Sequence, residues 1–223
     1  MDTASSGVTT AIVVAGGAMP PVAIGSMLPP HDLVVAADSG LHAAVALGLV
    51  PDLVVGDMDS VIPSVLEAAV RTGATVERAP RDKDAVDTEL AVHAAVARGA
   101  RRLIVVTGGG GRLDHALGVL SCLLHPMLTN CEVHVWWGDA YVRVLHGPTR
   151  ADITGAVGSI VGLIAAGGDA IGIITQGLRW SLNDEDLPFH STRGVSNVLT
   201  SPTATVSLRA GRVFVIQPST AVH

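Results

Sequence analysis

Leu53-Val54-Val55-Gly56-Asp57-Met58-Asp59-Ser60 is an apolar run that ends on a glycine and then on two carboxylates one residue apart. The apolar part reads as a buried strand and Gly56 as the point where the backbone turns. In an extended segment, alternate side chains share a face with Cα atoms roughly 6–7 Å apart, so Asp57 and Asp59 would point into one small volume. Two like charges that close favour a cation between them, and oxygen-only ligands suit Mg²⁺ or Mn²⁺. The plainer alternative is a solvated loop in which one Asp caps a helix beginning near Pro63.

Outward from this stretch the same grammar repeats. Ala11 to Val14 reads as a strand followed by Gly16-Gly17 and a proline-rich loop through Pro30. Leu33 to Ala37 is a second strand ending at Asp38-Ser39-Gly40, and His42 to Leu47 favours a helix that stops at Gly48. Beyond the double carboxylate come a helix over Pro63 to Arg71 and a short strand over Ala74 to Arg78. The charged loop Asp82-Lys83-Asp84-Ala85-Val86-Asp87 then feeds a helix over Thr88 to Arg98. Arg102 to Thr107 is another buried strand. It runs into Gly108-Gly109-Gly110-Gly111-Arg112-Leu113-Asp114-His115 and an apolar helix to Leu124, and Val133 to Trp137 closes this half.

Strands alternating with helices predict an α/β fold, a mainly parallel sheet flanked by helices, in which ligands bind beyond the carboxyl ends of the strands. Asp38, Asp57, Asp59, Asp87, the glycine run and Arg112 all fall at that edge. From about Asp139 the pattern changes to short apolar runs separated by Gly, Asp and Pro, which predicts a C-terminal all-β sandwich or barrel. Thr203 to Leu208 and Arg212 to Ile216 read as a final hairpin around Ala210-Gly211. The expected division is 1–138, an α/β domain, and 139–223, a β-rich domain.

Of the 223 residues, 48% are hydrophobic, and 14 Lys plus Arg against 20 Asp plus Glu leave a net charge of −6. That balance argues against broad binding to nucleic acid or anionic membranes. Cys122 and Cys131 form neither a disulfide framework nor a zinc pattern, and the polar start, Met1 to Thr10, does not resemble a secretory signal. Ala156 to Gly168 is too short to span a bilayer, so a cytoplasmic protein is expected.

Four glycines after a strand can bring backbone N–H groups onto a phosphate, and the next helix offers its N-terminus to anions. No Gly-Lys-Ser/Thr follows, so this is not a P-loop, and a flexible turn remains the alternative. Arg112 can fork onto phosphate oxygens, while Asp114 can cap the helix or hold a ribose, a metal or a water. His115 reads as structural. In the second half, Trp180 could stack on a flat cationic ring, and Ser196 and Asn197 could hydrogen-bond a heterocycle; burial and a turn are the alternatives.

Taken in order, Ala37 to Gly40, Pro51 to Ser60, Lys83 to Asp87, Gly110 to His115 and Leu187 to Asn197 resemble the thiamine pyrophosphokinase family over nearly the whole chain. The resemblance implies transfer of a pyrophosphoryl group from ATP to thiamine, giving thiamine diphosphate and AMP, in a homodimer with shared active sites. It implies that Asp57, Asp59 and Asp87 organise Mg²⁺ and the triphosphate, with Arg112 steadying charge. It places Asp38, Lys83, Gly110, Gly111, Arg112 and Asp114 around ATP, and Trp180, Ser196 and Asn197 around thiamine. Departures are Met58 for the usual Phe, Ser39 for a Gly, Val119 at a commonly polar position, and His190 for a small residue, which bears on the acceptor pocket. The competing readings are a pyrophosphokinase acting on 6-hydroxymethyl-dihydropterin, a metal-dependent glycosyltransferase, and a nucleotide-binding regulatory module without turnover.

Overall fold

A computed structural model of the chain describes residues 9–218. The chain divides into two compact units, the first running to Cys122 and taking in Val135–Gly138, the second made of Leu123–His134 and the chain from Asp139.

The first unit is built on strands β1 (Thr10–Val14), β2 (Leu33–Ala37), β3 (Leu53–Gly56), β4 (Thr75–Arg78), β5 (Arg102–Thr107) and the end of β6 (Glu132–Trp137). Their lateral order is β6-β5-β1-β2-β3-β4, and the pairs from β5 to β4 are parallel. β2 is buried along its whole length and β1 along all but its first residue. Strands covered on both faces need such unbroken apolar runs, which is why these segments lack alternation. Helices α1 (Gly40–Ala46), α2 (Pro63–Arg71), α3 (Asp87–Ala97) and α4 (Leu113–Cys122) connect them. Pro63 opens α2, where a missing N–H costs nothing. Asp87 and Glu89 sit in the first turn of α3, where negative charge complements the helix dipole. The proline-rich loop contains a short 3-10 helix, Val22–Met27, which the sequence did not suggest. No helix among the described residues is long and apolar enough to cross a membrane.

The second unit is an antiparallel sandwich of β7 (Ala140–His146), β8 (Thr149–Thr154), β9 (Ile160–Ala165), β10 (Ala170–Gln176), β11 (Asn183–Leu187), β12 (Asn197–Val198), β13 (Thr203–Leu208) and β14 (Arg212–Gln217). One sheet has the order β12-β9-β14-β7 and the other β11-β10-β13-β8. Leu145, Val161, Leu163, Val213 and Val215 from the first meet Ile153, Ile173, Leu187, Val206 and Leu208 from the second in one core.

The expected hairpin of β13 and β14 does not form. β13 pairs with β8 and β10, whereas β14 pairs with β7 and β9, so the chain changes sheet between them. Each strand has an apolar face, and both faces are buried by lying on opposite walls of the same core. Ala210 bridges to Ile171, and Gly211, at φ +85°, packs so close to the backbone at Asp169 and Ala170 that any Cβ would overlap it. A turn tied to the β9–β10 connection in this way is a crossing.

Candidate active site

The carboxyl edge of the first sheet carries a cleft of about 630 Å³. Each strand delivers one part of its lining. Gly16 and Gly17 follow β1, Asp38 follows β2, Asp57 and Asp59 follow β3, Gly109 to Arg112 follow β5, and Trp137 ends β6. Lys83 and Asp87 enter from the loop before α3. Asp114 does not line the cleft, while His115 does.

Asp38 has a left-handed backbone, φ +46°, held by its N–H donating to the Val55 carbonyl at 2.8 Å and its carbonyl accepting from Leu41 N–H at 3.0 Å. The residue is 8% exposed, and its Oδ1 has no hydrogen-bond partner among the described residues. Burial pushes its carboxyl up from the ordinary range, the Ser39 N–H partly offsets that, and the neighbouring Asp87, Asp57 and Asp59 charges add to it. Gly56 makes the close packing possible: at φ +150°, a Cβ there would stand 3.0 Å from both Asp38 Cβ and Asp87 Oδ1.

The Asp57–Asp59 segment is not extended. Met58 has φ +67°, and Asp57 Oδ1 accepts the Asp59 N–H at 3.0 Å, closing a tight turn. The cause is packing: the Met58 side chain lies against the cluster of Leu41, Val54, Val61 and Ala69 under α2. The carboxylates still converge. Oxygens of Asp38, Asp57 and Asp59 lie within 4.8 Å of one another, the geometry of a potential metal group among the described residues. Asp57 is held below the usual carboxylate range, first by the Asp59 N–H and also by the Lys83 charge. Asp59 pairs with Arg81 at 2.8 Å and accepts from Ser60 Oγ.

Asp87 lies outside that trio and pairs with Lys83 at 2.8 Å, with Asp57 at 3.9 Å from the same ammonium. Burial alone would lower the Lys83 pKa, but the hydrogen bond and charge of Asp87, with Asp57 and Asp38 behind it, raise it. The donor set fits a hard divalent cation: oxygens only, concentrated negative charge, and a buried oxygen still lacking a partner.

Gly109, Gly110 and Gly111 are all left-handed, at φ +67°, +72° and +72°, a run that side chains with a Cβ rarely adopt. Gly110 and Gly111 face open space. Arg112 lines the cleft and grips Asp114 with two bonds, Nε to Oδ1 at 3.1 Å and Nη2 to Oδ2 at 2.6 Å, which hold the Asp114 carboxyl down at about 2. Asp114 also accepts the His115 N–H at 3.0 Å.

In the second unit, Trp180 is 56% exposed with the Arg179 guanidinium 5.1 Å above its ring, so burial does not explain it. Asn197 is 3% exposed and spends its amide internally. Its Oδ1 accepts from the Trp180 and Val198 N–H groups, and its Nδ2 donates to the Trp180 carbonyl. It is a clamp on the Trp180 backbone. Ser196, at φ +61°, is exposed beside it.

Sequence reasoning passed over Trp137 and Arg81. The signal for Trp137 was its position as the last residue of a strand ending at this edge, before Gly138; Arg81 stands in the loop whose other charges were noted.

Fold and cleft together define a two-unit α/β protein with an oxygen-rich, glycine-lined cleft at the carboxyl edge of a parallel sheet, joined in sequence to an antiparallel sandwich. Residues 24–135 match the profile described as thiamin pyrophosphokinase, catalytic domain, and residues 148–213 match thiamin pyrophosphokinase, vitamin B1 binding domain. The chain belongs to the thiamin pyrophosphokinase family. It is 29% identical to thiamine pyrophosphokinase 2 of Arabidopsis thaliana over 70% of this chain, and spans 61% of that protein's length. It is 23% identical to thiamine pyrophosphokinase of Bacillus subtilis (strain 168), over 84% of this chain and 87% of that one. The crystal structure of thiamine pyrophosphokinase from Bacillus subtilis matches with a TM-score of 0.82 at 25% identity, covering 96% of this chain and 100% of the other. A solved structure of thiamin pyrophosphokinase from Candida albicans, at 14% identity and TM-score 0.76 over 94% of this chain and 88% of that one, shares the fold.

Proposed function

We propose that this chain is a thiamine pyrophosphokinase that transfers the pyrophosphoryl group of ATP to the hydroxyl of thiamine, releasing AMP. The observation that supports this most is the convergence of Asp38, Asp57 and Asp59, with an unpartnered buried oxygen, in the same cleft as three left-handed glycines. Concentrated carboxylates beside a phosphate cradle suit a metal-bound triphosphate.

Asp57 and Asp59, with Asp38 or Asp87, would hold Mg²⁺, which when bound would neutralise charge on the triphosphate. Asp38, Lys83, the N–H groups of Gly110 and Gly111, and Arg112 position ATP, and Asp114 keeps the Arg112 fork oriented. The acceptor hydroxyl attacks the β-phosphorus in line, its proton passes to Asp59 or Asp87, and the bond to the α-phosphate oxygen breaks to leave AMP. Catalysis is positioning plus charge stabilisation. Trp180 stacks on thiamine, Ser196 offers it a hydroxyl, and Asn197 fixes the Trp180 backbone. Residues 1–138 form the nucleotide-binding part and 139–223 the thiamine-binding part, in a cytoplasmic homodimer whose chains share active sites.

The test is AMP release from ATP and Mg²⁺ with thiamine or with 6-hydroxymethyl-dihydropterin as acceptor. AMP formed with thiamine and not with the pterin is the expected result. AMP formed with the pterin alone would keep the roles of the cleft residues and overturn those of Trp180, Ser196 and Asn197.

A further inference from the structure

We infer that Trp137 is the platform for the base of the nucleotide, and that the site therefore chooses its donor by the triphosphate and a flat ring, with little reading of the base edge. This rests on the cleft being the ATP site, as proposed above.

The lateral order of the sheet lays the cleft out as a line. Trp137 ends β6, the glycine turn follows β5, Asp38 follows β2, and Asp57 and Asp59 follow β3. Neighbouring strands stand about 4.8 Å apart, so Asp38 lies roughly 14 Å along the edge from Trp137, and the Asp57–Asp59 turn roughly 19 Å. A nucleotide whose phosphates lie at the acidic end must carry its base away from it. The direction in which the glycines continue the cleft leads to Trp137.

The indole is held for that task. The Gly138 N–H donates to the Thr107 carbonyl at 2.8 Å, which brings the end of β6 beside the end of β5. Gly109 packs so tightly on the ring that a Cβ there would overlap Nε1, and the Thr107 hydroxyl is occupied by the Gly109 N–H at 3.2 Å. Trp137 is thus wedged by the glycine turn while still lining the cleft. The cleft residues carried by the adjacent β5 and by α4 after it are Thr107, His115, Ala116 and Val119, with no side-chain amide or carboxylate among them. Base stacking on an aromatic ring tolerates any base, because every base has a π face. Strong discrimination instead needs buried polar groups matched to the ligand's edge.

The test titrates the full-length chain, by intrinsic fluorescence and by KM, with ATP, GTP and Mg²⁺-tripolyphosphate, in wild type, Trp137→Phe and Trp137→Leu. ATP and GTP are expected to quench wild-type fluorescence with KM values within about threefold of each other. Trp137→Leu should abolish the quench and raise both KM values about tenfold, leaving tripolyphosphate inhibition within about twofold, whereas Trp137→Phe recovers most of the loss. A Leu variant that keeps the wild-type KM for ATP overturns the platform. So does discrimination between ATP and GTP beyond about 100-fold. If Trp137→Leu does not fold, the Phe variant and the GTP comparison decide. If neither ATP nor tripolyphosphate binds the wild type, the ATP reading of the cleft falls and takes this inference with it.

Discussion

Asp38 is an acid that the fold buries without giving both of its oxygens a partner among the described residues. Its pKa is raised, so the folded state holds its proton more tightly than the unfolded chain. Stability attributable to this group is therefore greatest when it is protonated and falls as pH rises above the unfolded value. Without a divalent ion, Asp38→Asn should raise Tm at pH 7 by about 2–4 °C, equivalent to about 1 kcal/mol, while removing most of the stabilisation that Mg²⁺ gives the native protein. A variant whose Tm responds to Mg²⁺ as the native protein does would exclude Asp38 as a ligand. For Asp59→Asn the expectation is a loss of kcat of at least about 100-fold, with Tm changed by no more than about 2 °C, because this side chain is half exposed and the role proposed for it is chemical. Steady-state kinetics and a melting curve decide it. Asp114, held down at about 2 by the Arg112 fork, stays ionised well below neutral pH, so the orientation of Arg112 is lost only in strong acid. A ¹³C carboxyl titration by NMR reads that midpoint, and a value near 4 would break the pair.

At the scale of elements, the carboxylates are placed by packing that is partly hidden in the sequence. The unbroken apolar runs of β1, β2 and β3 mark a parallel sheet, and its edge is where Asp38 and Asp57 had to lie. The turn at Met58 was not legible, because a methionine at φ +67° is explained only by the pocket under α2 that receives it. Nor was the loss of the β13–β14 hairpin, since local alternation says which face is buried and not which sheet supplies the neighbour. β11 is harder still. Asn183 to Asp186 is acidic and poor in strand formers, and pairs with β10 while burying only Leu187. The clamp formed by Asn197 gives an element-level prediction. Asn197→Ala removes two hydrogen bonds with the Trp180 backbone and one from the Val198 N–H and leaves buried groups without partners, so it should destabilise the chain by about 2–4 kcal/mol and raise the KM for thiamine more than that for ATP. Denaturant unfolding alongside kinetics with both substrates checks it. An equal rise in the two KM values would make the clamp a matter of stability alone.

For the molecule as a whole, the division into a parallel α/β unit and an antiparallel sandwich could be read from the change in pattern near Asp139, although the structural partition gives Leu123–His134 to the second unit. The edge that carries the cleft was legible because one rule of parallel sheets points five separate loops to it. Side-chain partners were not: that Lys83 holds Asp87, and that Asp38 joins Asp57 and Asp59, depends on the approach allowed by Gly56. The most direct measurement of the proposed transfer uses ATP labelled at the γ-phosphate, with thiamine and Mg²⁺, and follows where the label goes. Pyrophosphoryl transfer predicts that the label appears in thiamine diphosphate, with one AMP formed for each and no ADP. ADP together with thiamine monophosphate, or nucleotide bound without any transfer of label, would contradict it.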